Sequence, residues 1–198
     1  MNKIIVTTTI NEPTEATLKF ASMHDWHVVI AGDTKTPHDK YKNLQNVTYL
    51  HPEDQENINK ELSDAIGWRS IRRRNMAIIK AYQMGADIIA TVDDDNIPLE
   101  KWGDNLFVGE EVEVDFYDTT LDVFDPIYVT EHKNIWHRGF PLQYVSKRNA
   151  KLVGKRKINC LVQADFWNGD PDIDAVCRIT QMPELEFKPF KPFASKKI

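Results

Sequence analysis

The run Asp87-Ile88-Ile89-Ala90-Thr91-Val92 leads straight into Asp93-Asp94-Asp95-Asn96. A segment this short, β-branched and nearly free of polar side chains predicts a strand covered on both faces, as at the centre of a parallel sheet. Parallel strands need crossover connections, and a helix pattern precedes this one. Over Trp68–Met84 the residues Trp68, Ile71, Ile78, Ile79 and Tyr82 share one face, Arg69, Arg73 and Lys80 lie roughly opposite, and Gly85 follows as a C-terminal stop. Upstream, Lys3–Thr8, Trp26–Ile30 and Val47–Leu50 read as short strands. Thr14–Met23 reads as a helix with Asn11 as its cap and Pro13 in its first turn, and Pro52–Asp64 as a polar loop with a helical turn. The order β-α-β-β-α-β predicts an α/β layer sandwich with a mainly parallel sheet.

The 198 residues suffice for one domain with a full core and are too few for two comfortable ones, so a single domain over 1–198 is expected. A formal charge of −5 argues against a general nucleic-acid binder. No apolar run approaches the roughly 20 residues of a membrane span. Met1–Val6 leads into Thr7-Thr8-Thr9 rather than a small-residue cleavage site, so a cytoplasmic location is expected. Cys160 and Cys177 form neither a disulfide framework nor a Cys-x-x-Cys metal motif.

The second half is less regular. Between Trp102 and His132 lie nine acidic residues and no Lys or Arg, and Lys147–Lys157 then carries six basic residues and no acid. Two solvated faces would account for this, as would a basic segment folding over an anionic ligand. The tail Phe187–Phe193 repeats Phe-Lys-Pro, too rich in proline for a helix or a central strand.

Chemistry is concentrated where the apolar strand ends. Side chains alternate along an extended chain, so Asp93 and Asp95 share a side and Asp94 takes the other. Two like carboxylates facing one cleft call for a hard cation, Mn²⁺ or Mg²⁺, whose shell water and a substrate diphosphate complete. In open α/β sheets, ligands bind beyond the carboxyl ends of the strands. A solvent-facing acidic turn is the simpler reading of the same residues. In the preceding helix, Arg72, Arg73 and Arg74 precede Asn75, which falls within the apolar stripe. Arginine forks match phosphate oxygens, so Arg73, Arg74 and Asn75 are candidates for bracing the phosphates, although Asn75 could equally bond a neighbouring loop.

The block Arg74-Asn75, helix, Gly85-Ala86-Asp87, strand, Asp93-Asp94-Asp95 resembles the core of GT-A-fold glycosyltransferases, the nucleotide-diphospho-sugar transferase type. A wider likeness covers nearly the whole chain. Ile5–Thr14, the Gly32-Asp33-x-Lys35-Thr36-Pro37 turn, Asp93–Asn96 and Arg138-Gly139-Phe140-Pro141-Leu142 resemble the STELLO-type glycosyltransferase-like proteins. Arg138-Gly-aromatic-Pro together with Asp170-Pro171-Asp172-Ile173-Asp174-Ala175 is similar to the reversibly glycosylated polypeptides, some of which are UDP-arabinopyranose mutases.

The resemblance implies a GT-A-like three-layer α/β/α sandwich and a metal-dependent transfer of sugar from a nucleotide sugar, a UDP-sugar, to an acceptor hydroxyl. Thr7, Thr8 and Thr9 would close the first strand against the base and ribose. Asp33 matches an acidic residue contacting uracil or ribose, or is a turn aspartate after Gly32. Asp93, Asp94 and Asp95 would carry the donor, with the metal on Asp93 and Asp95. His137 would complete the metal shell or touch the diphosphate. Arg138 falls on an arginine needed for activity in the glycosylated polypeptides, or is a loop arginine pairing with the acidic stretch. An inverting transfer needs a carboxylate base, for which Asp172 is the first choice and Asp174 the second, each also a plausible helix cap. Trp136 and Trp167 would stack on sugar faces or lie in the core. The acceptor, whether glycan, protein or small molecule, is open. The alternatives are a nucleotide-sugar mutase, with Arg138 decisive, and a non-catalytic nucleotide-sugar-binding module. The chain is short for a GT-A enzyme, which also suits a piece of a longer protein.

Overall fold

The computed structural model describes residues 1–189 and 191–197, so Phe190 of the Phe-Lys-Pro repeat lies outside the described residues. Its contacts fall into two compact units, Met1–Asp104 and Asn105 onward.

The first unit is an α/β layer structure on a four-stranded parallel sheet. β1 (Lys3–Thr9), β2 (His27–Gly32), β3 (Val47–Leu50) and β4 (Ile88–Thr91) lie in the order β3-β2-β1-β4. Val6 pairs with Val29 on one side and Thr91 on the other. This is the GT-A-like α/β class that the sequence implied. The central strands are β1 and β2, whose residues Ile4, Ile5, Val6, Val29 and Ile30 are all fully buried. β4, expected at the centre, is the last strand of this sheet, and Thr91 is exposed. Its apolar composition matches its seat beside β1 without requiring a partner on both edges.

Four helices depart from expectation for local reasons. α1 (Glu15–Ala21) is capped by Thr14, whose hydroxyl accepts the Thr17 N–H at 3.1 Å, because the Asn11 side chain is turned to Asp94 instead. The stretch expected as a loop forms α2 (Pro52–Ile58) and α3 (Lys60–Ile66). His51 and Asp54 make a capping box at the start of α2, and Asn59 ends α2 and caps α3. α4 (Arg74–Gln83) starts later than Trp68, because Gly67 and Arg69 take left-handed conformations with φ of 70° and 59°. Gly85 ends it as expected, with φ of 73°.

The face α4 buries is also not the expected one. Arg73 before it and Met76, Ala77 and Ala81 within it are fully buried, while Ile71 and Tyr82 are 66% and 77% exposed. Small residues let the helix approach the sheet closely, so Met76, Ala77 and Ala81 join Ile4, Val6, Val29, Ala31 and Leu50 in one core. On β2, a Cβ at Gly32 would lie 1.9 Å from the Tyr49 hydroxyl, so only glycine fits there.

The second unit holds β5 (Glu111–Asp118), β6 (Lys151–Asn159), α5 (Ala175–Gln181) and β7 (Phe193–Ser195), the strands in the order β6-β5-β7. β6 is antiparallel to β5 and β7 parallel to it. The acidic and basic stretches therefore meet as neighbouring strands, with Lys155 and Lys157 2.8 and 2.9 Å from Glu113 and Glu111. The core here is Ile127, Ile135, Trp136, Phe140, Ile173 and Cys177. Both cysteines are buried and free. Among the described residues no helix is long and apolar enough to cross a membrane.

Candidate functional site

A parallel sheet delivers every strand's carboxyl end to one edge. Thr9, Gly32-Asp33 and the Asp93–Asp95 triplet all follow such ends in the first unit. Asp94 binds inward: its carboxylate accepts from the Thr9 hydroxyl and from Asn11 Nδ2 at 3.1 Å, and Thr14 Oγ1 donates to its carbonyl oxygen. These bonds tie the loop between β1 and α1 to the acidic triplet. Asp93 takes a different partner, an ion pair with Arg74 at the first position of α4. Asp95 is exposed, and no described residue bonds its carboxylate.

Other residues expected on the donor side are engaged within the fold. Thr7, Thr8 and Thr9 are buried, and the Thr8 hydroxyl donates to Ala31 O at 2.8 Å. Asp33 is 2% exposed. Its Oδ1 accepts from Thr34 N at 2.6 Å and its Oδ2 from Arg69 N at 2.7 Å, so this carboxylate holds the turn after β2 and the loop before α4. Arg73, expected to face phosphate, is fully buried instead. Its guanidinium donates to Gln55 Oε1 at 2.9 Å and Ser63 Oγ at 3.0 Å and stacks 3.7 Å from the Trp68 ring centroid. Helical geometry explains the difference. A helix that rests its Met76-Ala77-Ala81 face on the sheet carries Arg73 inward, whereas Asn75, expected in the buried stripe, is exposed.

In the second unit, Arg138 and Asp172 come together, Nε lying 2.5 Å from Oδ1. Asp172 is thus the carboxylate that Arg138 meets, rather than one of the acidic stretch. Asp174 is the N-cap of α5, accepting from Val176 N at 2.8 Å. His137 places Nδ1 2.8 Å from the Arg138 carbonyl oxygen. Trp136 is buried in the core, and Trp167 is 37% exposed. Sequence reasoning missed the pair beneath this loop. Asp125 and Arg148, with side chains 1% and 6% exposed, form an ion pair at 2.7 Å. Arg148 also donates to Ile135 O at 2.5 Å and Lys133 O at 2.9 Å, and Asp125 Oδ1 accepts from His137 N at 3.3 Å. Asp125-Pro126 was the available sign, an aspartate in cap position before a proline-started turn.

No protein-family model matches the chain. Two proteins of Arabidopsis thaliana are similar to it. Probable glycosyltransferase STELLO2 is 26% identical over 203 aligned positions, taking in 95% of this chain and 26% of that protein. Probable glycosyltransferase STELLO1 is 25% identical over 199, with 93% and 25% covered.

The chain is similar over nearly its whole length to the STELLO-type proteins, which are named probable glycosyltransferases.

It spans about a quarter of the length of these relatives. The aligned share extends across both compact units, so the relationship takes in the Asp93–Asp95 triplet and the Arg138 loop alike.

The donor set around the triplet decides what kind of cation suits it. Among the described residues, no three His, Cys, Asp or Glu side chains come together as a cage for an ion. Asp95 is free, Asp93 shares its carboxylate with Arg74, and both offer hard oxygens. Magnesium-type ions are held by one or two carboxylates while water and phosphate oxygens fill the remaining positions, and two aspartates fit that mode. One further atom bears on an anion here. Among the described residues, Arg74 Nε is buried without a hydrogen-bond partner.

Proposed function

We propose that this chain is a glycosyltransferase that takes its sugar from a nucleotide sugar, a UDP-sugar, with Mn²⁺ or Mg²⁺ at Asp93 and Asp95. The observation that carries the reading is the triplet itself: a free carboxylate and an arginine-paired one at the carboxyl edge of a parallel sheet, with an unmatched buried guanidinium N–H beside them. The relationship to proteins named probable glycosyltransferases supports the same class. Bound there, a divalent cation would neutralise charge on a leaving diphosphate. Asp94 holds the loop from Thr9 to Thr14, and so shapes the strand end that meets the donor. Arg74 supplies planar donors to phosphate oxygens. Asp172 is the proposed base for an acceptor hydroxyl, with the Arg138 guanidinium beside it to fix its position.

Calorimetric titration of UDP and a panel of UDP-sugars, with Mn²⁺ and then with EDTA, tests this on wild type and Asp95→Ala. Metal-dependent binding that disappears in the variant is expected. A folded wild-type protein that binds none of these ligands under either condition overturns the donor reading. Release of UDP from the preferred UDP-sugar, reduced in Asp172→Asn with binding intact, separates a catalyst from a passive binder.

A further inference from the structure

Three consecutive arginines at the entry to α4 meet three different environments. Arg72 is exposed, Arg73 is in the core, and the Arg74 side chain is 22% exposed beside Asp93. One terminal nitrogen of Arg74 pairs with Asp93 Oδ1, while its Nε–H, also buried, meets no acceptor. A cationic donor that is withdrawn from water and unmatched is disfavoured, and a guanidinium can offer Nε and a terminal nitrogen together to one oxyanion. In this arrangement Arg74 makes half of such a fork and makes it to a carboxylate that is itself a candidate metal ligand.

We propose that Arg74 is an exchangeable counter-ion. In the ligand-free protein it neutralises Asp93 and relieves that carboxylate's repulsion from its neighbours in the triplet. When a diphosphate arrives, the guanidinium turns its fork, Nε included, to the phosphate oxygens and frees Asp93 to bind the cation. The inference rests on the donor-site reading and adds a specific consequence to it. A cation alone must displace Arg74 from Asp93, whereas a cation with diphosphate finds Arg74 already drawn away. The two ligands therefore bind with positive coupling, and by linkage the coupling is the same whichever binds first.

The test uses the full chain and two probes. Mn²⁺ alone is titrated by the electron paramagnetic resonance of the free ion, and inorganic pyrophosphate is titrated calorimetrically with Mn²⁺ present. Wild type, Arg74→Gln, Arg74→Lys and, as control, Arg72→Gln are compared, with near-ultraviolet circular dichroism to verify the fold. Arg74→Gln is expected to move the probes in opposite directions. It binds Mn²⁺ alone several-fold more tightly, because Asp93 is released, and pyrophosphate about tenfold more weakly, the size of one lost charge-assisted hydrogen bond. Arg74→Lys retains charge without the fork and falls between, and Arg72→Gln matches wild type. If wild type binds both probes and a folded Arg74→Gln weakens both, or changes neither, the exchange is refuted while the donor site stands. If wild type binds neither probe, the donor-site reading fails, and the exchange with it.

Discussion

Replacing Arg73 with alanine is the sharpest test of how the first unit is held together. The guanidinium is fully buried, yet among the described residues no carboxylate bonds it; its acceptors are Gln55 Oε1, the Ser63 hydroxyl, the Ser63 carbonyl and the Gly67 carbonyl at 2.9, 3.0, 3.2 and 3.5 Å. Burial pulls its pKa down, and the charges of Asp33 and Glu56 partly oppose that. Gln55 in turn donates to Gly32 O at 2.6 Å and Leu50 O at 3.0 Å, so Arg73 sits at the hub of a network linking α3, α2 and the ends of β2 and β3. Truncation leaves the Gln55 carbonyl and the Ser63 hydroxyl buried without their partner, at about 1–3 kcal/mol each. Loss of the stack on Trp68 adds about 1 kcal/mol. Relief of a desolvated cation offsets part of this, leaving a net loss of about 3 kcal/mol. Equilibrium urea unfolding followed by tryptophan fluorescence measures it. Arg72→Ala, one residue earlier and exposed, should stay within about 0.5 kcal/mol of wild type. Adding Gln55→Leu to Arg73→Ala should cost less than the two single effects summed, because the orphaned acceptor goes with it. A loss below about 1 kcal/mol for Arg73→Ala, or equal losses at positions 72 and 73, would refute a structural role for this guanidinium.

Two further outcomes follow from buried groups in each unit. Tyr41 and Tyr49 stack with ring centroids 4.7 Å apart, and burial pushes both hydroxyls from 10 up to about 12. Because the folded values exceed the ordinary one, their contribution to stability is intact below pH 10 and declines as the pH rises from 10 towards 12. An ultraviolet titration compared between wild type, Tyr41→Phe and Tyr49→Phe should show each substitution removing tyrosinate signal that rises towards pH 12, and loss of signal already complete by pH 10 would contradict it. In the second unit, Asp125→Ala leaves Arg148 buried with its charge unmatched and should cost about 3–5 kcal/mol in urea unfolding. The double substitution Asp125→Leu with Arg148→Met should cost clearly less than the sum of its parts; strict additivity would show that the pair is not coupled.

Much of the fold was legible because it depends on local pattern. β-branched runs marked the four parallel strands and Gly85 marked the end of α4, but the alternation expected through the acidic triplet does not apply, because β4 stops at Thr91 and Asp94-Asp95 form a turn in which Asn96 N–H donates to Asp93 O at 3.3 Å. The helical stripe misled because it weighted large apolar residues. The sheet selected Ala77 and Ala81 for close approach and left Ile71 and Tyr82 exposed. α2 and α3 were hidden in a polar stretch because their starts are set by side-chain caps, His51 with Asp54 and then Asn59, rather than by hydrophobic period.

The candidate site divides in the same way. Its address was sequence-encoded: an apolar strand that ends in three carboxylates, preceded by an arginine-rich helix entry, puts acidic oxygens at the carboxyl edge of a parallel sheet whatever the remaining packing. The assignment of individual polar groups was not. Arg72, Arg73 and Arg74 are identical letters, and their roles follow from the roughly 100–120° by which each step of the 3₁₀ turn Ile71–Arg73 and then of α4 rotates a side chain. Once the sheet had fixed which face of α4 is buried, Arg73 was drawn into the core, Arg72 was left in solvent and Arg74 reached Asp93. Asp33 likewise became a bracket for two loops because Arg69 and Ser70, distant in the chain, bring their N–H groups to it. Such partnerships join residues dozens of positions apart, and only the closed tertiary structure brings those positions within a hydrogen bond of one another.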